Sequence, residues 1–121
     1  IEGAIDPVLG VPVLARDDLY AEKLLANTDR AMDRSQMSRD IIDLAMMIQA
    51  WGPIPTTALD KASAAYGQAI YDYFDRALKL IGNDRYRAEC LTAMAMQPSL
   101  GPTLLSTLQT HRPLSGTTVK Q

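Results

Sequence analysis

The sequence predicts a mainly α protein, a bundle of five to six helices behind a short extended N-terminal segment. Three observations predict it. Apolar residues recur at three- and four-residue intervals along most of the chain from Asp17 onward. Gly and Pro fall between these runs, at Gly52-Pro53, Gly67, Gly82 and Pro98, where such residues end helices. The one β-like stretch, Val11–Leu14, has no partner strand, and a lone short strand is not stable by itself.

The elements follow in order. Residues 1–14 read IEGAIDPVLGVPVL, and Pro7 and Pro12 confine any strand there to an edge or an end. From Asp17 the texture becomes helical, with Asp17 or Asp18 placed to cap a helix over about 17–32. Ala21, Leu24, Leu25, Thr28 and Met32 form its apolar stripe, while Tyr20, Lys23, Asn27 and Arg30 form a polar one. Ser35 and Ser38 are candidate caps for a second helix reaching Trp51, whose stripe is Met37, Ile41, Leu44, Ala45 and Ile48. Asp40 and Asp43 lie three apart and share another face. Thr57-Ala-Leu-Asp60 resembles a capping box. The helix it opens runs to about Ile81 and bends or breaks at Gly67. Asn83 caps a helix over about 84–96, and a last one spans about 100–110. Domain limits follow: an extended entry segment at 1–16, a helical domain at 17–111 and a flexible tail at 112–121.

Composition excludes several classes. With 12 basic and 14 acidic residues the net charge is -2, so no global positive field draws in nucleic acid or acidic membrane. No apolar run approaches the roughly 20 residues that span a bilayer, and no signal-peptide pattern is present. Cys90 is the single cysteine, which excludes an internal disulfide and fits a buried core residue in a reducing cytoplasm. The six methionines sit mostly at helical core spacing. The sequence holds no phosphate-binding glycine loop, no GxSxG, no HExxH and no zinc spacing. The single histidine, His111, reads as a surface residue.

What remains is one constellation. Lys23 and Arg30 can hold a phosphate chain by charge. Asp40 and Asp43 can hold Mg²⁺ or accept a proton. Arg39 can pair with Asp43 one turn away. The same residues also read as the solvated charges of two ordinary helices. Asp29, Asp33 and Arg34, in the intervening turn, are further candidates for this polar site.

The run Leu19-x-x-Glu22-Lys23-Leu24-Leu25-Ala26-x-x-x-Arg30, followed by Ser38-Arg39-Asp40-Ile41-Ile42-Asp43-Leu44, resembles the C-terminal half of the AbiEii/AbiGii-type nucleotidyltransferase-like toxins of abortive-infection, type IV toxin–antitoxin systems. The match is good over 17–48 and holds only in helical character after Trp51. The resemblance implies a bacterial protein that transfers a nucleotide from a nucleoside triphosphate with Mg²⁺. Lys23 would contact the triphosphate, and Asp40 or Asp43 would act as base or orienting carboxylate. Arg30 and Arg39 would bind substrate or position the others. A cognate antitoxin and an acceptor, a nucleic acid or another molecule, are the implied partners. The family's upstream Gly-Ser and Asp-x-Asp motifs have no counterpart before Lys23. The chain, which opens on Ile1, is therefore expected to be the helical part of a longer protein and inactive alone. The alternative is a non-catalytic helical module that binds another protein.

Overall fold

The computed structural model describes residues 13–114. Six helices run through them: α1 Val13–Arg30, α2 Arg39–Trp51, α3 Thr56–Tyr66, α4 Ala69–Ile81, α5 Asp84–Ala93 and α6 Gly101–Thr110. Short 3₁₀ turns at Arg34–Gln36 and Pro98–Leu100 precede α2 and α6. The mainly α expectation holds. α1 packs on α2, α3 and α4, while α6 closes the bundle against α2.

α1 starts four residues earlier than the sequence suggests. Residues 13–16, read as extended chain, form its first turn. The remainder of the extended segment lies outside the described residues. Asp17 and Asp18 therefore stand inside α1 instead of capping it. Their carboxylates accept hydrogen bonds from Thr57 and Lys61 of α3. With its hydroxyl committed to Asp17, Thr57 forms no capping box, and α3 begins after Pro55 without a side-chain cap. Asn83 caps α5 as expected, accepting the Tyr86 N–H at 2.8 Å. Gly67 does break the third predicted helix in two, at φ 61°, a left-handed conformation that glycine adopts freely.

The core is the inner face of all six helices: Leu24 of α1, Ile41 and Leu44 of α2, Ala58 of α3, Phe74 of α4, Cys90 and Leu91 of α5 and Leu108 of α6. Met32 leaves the predicted α1 stripe, because the helix has ended, and lies half exposed. Arg112 Nε is 3.2 Å from Asp75 Oδ1, and Pro113 is buried. The rest of the predicted tail lies outside the described residues. No helix among the described residues is long and apolar enough to cross a membrane.

α6 meets α5 through Gly101. A Cβ there would come within 2.6 Å of Arg87 Nε. Arg87 is buried, donating from Nη1 to the Ile81 carbonyl and from Nη2 to Asp84, both at 2.9 Å. Gly101→Ala is therefore expected to push the guanidinium off the end of α4 and lower stability by about 1–3 kcal/mol, the usual range for overpacking. Urea unfolding of the variant checks this, and an unchanged midpoint contradicts it.

Candidate functional site

The polar stripe of α1 is only partly open to water. Tyr20 and Asn27 are buried, and Lys23 is half-buried. The stripe lies against α2, because the short turn between α1 and α2 brings the two helices back side by side. There it meets Asp40 and Asp43, which share one face of α2.

The result is a four-membered ion cluster. Lys23 Nζ stands 3.2 Å from Asp40 Oδ1 and 2.7 Å from Asp43 Oδ2. Arg30 donates from Nε to Asp40 Oδ2 at 3.1 Å and from Nη2 to Asp40 Oδ1 at 3.0 Å. This is the two-pronged geometry that suits a guanidinium and a carboxylate. The Asp40 side chain is only 5% exposed and that of Asp43 is 27% exposed. Asp40 thus sits inside the cluster between two cations, and Asp43 stands at its solvent edge.

Arg39 is not brought into the cluster. It is exposed and makes no ion pair with a described residue, and its expected partner Asp43 is held by Lys23. Asp29 and Asp33 are also spent elsewhere. Asp29 accepts the Tyr66 hydroxyl at 2.9 Å, and Asp33 accepts the Ser35 N–H at 2.9 Å. The Arg34 side chain lies outside the described residues.

Partial burial acts against the Lys23 ammonium, but hydrogen bonds to Asp43 and Asp40 outweigh it and raise its pKa above the ordinary lysine value. Lys23 therefore stays a cation and cannot serve as a base. Its contribution to stability is fully present below the ordinary lysine pKa and is lost as pH rises through the raised one. Arg30 is likewise pushed up, first by its hydrogen bond to Asp40.

A groove of about 320 Å³ opens beside the cluster, lined by Leu19, Glu22, Lys23, Ala26, Arg30, Met47 and Trp51. One end carries the two cations; Met47 and Trp51, one and two turns beyond Asp43 on α2, make the other end apolar. Glu22 is its single acidic lining residue. Tyr20 packs edge-on against Trp51 with ring centroids 5.8 Å apart, and its hydroxyl donates toward the Gly52 and Met47 carbonyls at 2.7 and 3.1 Å. Met47 and Trp51 are lining residues that the sequence analysis missed; their repeat at four-residue spacing from Asp43 was the available signal.

Burial pushes the Tyr20 phenol up to about 12. The folded state prefers it protonated, so this contribution holds below pH 10 and fades as pH rises toward 12. Phenolate absorbance should therefore show a component titrating near pH 12 that Tyr20→Phe removes. Full ionisation of all tyrosines near pH 10 would contradict it.

The fit of a metal can be tested on the donors. Among the described residues no three His, Cys, Asp or Glu side chains group to hold a metal ion. Asp40 and Asp43 are already neutralised by Lys23 and Arg30. These residues do not by themselves make a Mg²⁺ site.

A helical bundle carrying a Lys-Arg-Asp-Asp cluster at the edge of a groove is the class the fold and geometry define. The chain matches the family model of the AbiEii nucleotidyl transferase toxins of type IV toxin–antitoxin systems over residues 1–110. It belongs to that family. No curated protein and no solved structure matches it.

Proposed function

We propose that this bundle is the triphosphate-holding helical half of a nucleotidyltransferase toxin, with Lys23 and Arg30 as the phosphate ligands. The observation that carries the reading is that both cations border one groove while Asp40 fixes them from behind. Donor arithmetic supports it. Arginine has five N–H donors and Arg30 spends two on Asp40, while Lys23 has three and spends two on Asp40 and Asp43. About four donors remain for phosphate oxygens by this count. Asp40 and Asp43 balance the two cations, so the cluster attracts a polyanion through these free donors and not through net charge. The apolar end at Met47 and Trp51 suits the nucleoside portion.

In the reaction an acceptor oxygen bonds to the α-phosphorus, the bond to the bridging oxygen breaks, and pyrophosphate leaves with the electron pair. Lys23 and Arg30 align the chain and offset charge developing on the leaving group, which is where such catalysis draws most of its rate. Asp43, at the solvent edge, takes the acceptor proton. Asp40, buried and doubly bonded, is the orienting carboxylate. Arg39, exposed beside them, meets the acceptor or a more distant part of the substrate. No step is assigned to Mg²⁺, because the described carboxylates do not fit it. The partner would be the cognate antitoxin that the family implies.

The test is nucleoside triphosphate binding by calorimetry. Lys23→Ala should weaken binding about tenfold, the loss of one charge-assisted contact. Equal affinity in the wild type and the variant removes Lys23 from the site. The neutrality of the cluster favours one second reading, in which the four charges only clamp α1 to α2 and the bundle binds another protein. Under that reading Lys23→Ala lowers stability and the wild type binds no triphosphate.

A further inference from the structure

Ser38 gives up the local roles that its position offers. It is the N-cap residue of α2, yet its hydroxyl makes no capping bond. Met37 and Ser38 are consecutive non-glycine residues in the left-handed region, at φ 49° and 54°. Such residues keep that conformation only where their surroundings impose it. The partner of the Ser38 side chain lies far along the chain. Ser38 is buried, and its Oγ is 3.0 Å from the Tyr86 phenol oxygen on α5. The backbone of Tyr86 is anchored at the start of α5, where its N–H donates to Asn83 Oδ1 at 2.8 Å. On the other side the Ser38 carbonyl accepts the Ile42 N–H at 3.2 Å and so closes the first turn of α2. Asp40 sits in that turn, two residues from Ser38. A rotation of the turn would carry its carboxylate away from Arg30 Nε and Nη2 and from Lys23 Nζ together.

We infer that Ser38 and Tyr86 are positioning residues for the Lys23–Arg30–Asp40 cluster, their hydroxyl pair setting where Asp40 and, through it, both cations stand. The consequence for triphosphate affinity rests on the proposed function; the consequence for cluster geometry does not. The hydroxyl pair spans 48 residues of sequence, so it couples α5, which lines no part of the groove, to the groove's basic end.

Two readouts on the same variants test this: the Arg30 Nε–H resonance in a nitrogen-15 spectrum, and nucleoside triphosphate affinity. Tyr86→Phe and Ser38→Ala should each move the Arg30 resonance and weaken binding about three- to tenfold, as expected for one hydrogen bond. The double variant should do no more than either single one, since both remove the same bond. Ser38→Gly separates the bond from the strain, because glycine is at ease in the left-handed region. It should be more stable than Ser38→Ala and still show the displaced resonance. If Ser38→Ala does not fold, Tyr86→Phe alone decides the matter. A Tyr86→Phe protein that melts earlier but keeps the wild-type Arg30 resonance overturns the inference and makes the pair a packing contact. Should wild type bind no triphosphate, the proposed function fails, while the resonance alone still decides the positioning role.

Discussion

Asp40→Ala should cost the fold about 2–3 kcal/mol, somewhat less than the 3–5 kcal/mol typical of breaking a fully buried pair. The carboxylate is 5% exposed and accepts three hydrogen bonds from two cations on α1. Its loss leaves Lys23 and Arg30 without their shared partner. Their side chains are 31% and 45% exposed, so water recovers part of their solvation and limits the damage. Denaturant unfolding of Asp40→Ala reads the cost directly. A change below about 0.5 kcal/mol would place the cluster among surface ion pairs of little consequence.

Asp43→Asn should split binding from turnover. Asp43 Oδ2 is the nearest anion to Lys23, at 2.7 Å, and competes with phosphate for it. Removing that charge while keeping the side-chain shape should tighten triphosphate binding about three- to tenfold, since a charged partner is traded for a neutral one. The same change takes away the proposed proton acceptor. In a nucleotide-transfer assay kcat should fall by about 100-fold or more, the usual contribution of a general base, while KM falls too. A variant with unchanged kcat shows that Asp43 is not the base. A variant that binds triphosphate more weakly shows that Asp43 orders the site instead of competing for it.

Much of the fold was legible because its signals are local. Gly52, Gly67 and Gly82 punctuate the helices, and Ile41, Leu44 and Ile48 mark the inner face of α2 by spacing alone. The start of α1 was misread because Asp17 and Asp18 look like caps. Their actual partners, Thr57 and Lys61, lie on another helix about forty residues away. The same long-range competition took Thr57 from its capping box and Ser38 from its cap. The polar stripe of α1 was visible, but not its direction. Tyr20 and Asn27 are buried because that stripe is an interhelical seam, a fact that depends on α2 folding back beside it. Lys23, Asp40 and Asp43 stood out by residue type and spacing, and the α1–α2 hairpin pairs them. The exclusion of Arg39 was not legible, because only the rotational setting of α2 decides which of two adjacent residues faces α1.

The most direct measurement of the central claim is a nitrogen-15 correlation spectrum of the chain titrated with a nucleoside triphosphate, then with the matching monophosphate. If Lys23 and Arg30 hold the phosphate chain, shifts concentrate on residues 19–30 of α1 and on Met47 and Trp51 of α2. The triphosphate then binds more tightly than the monophosphate. Shifts centred on another face of the bundle, or equal weak binding of both nucleotides, would contradict the account and leave the cluster as a clamp between two helices.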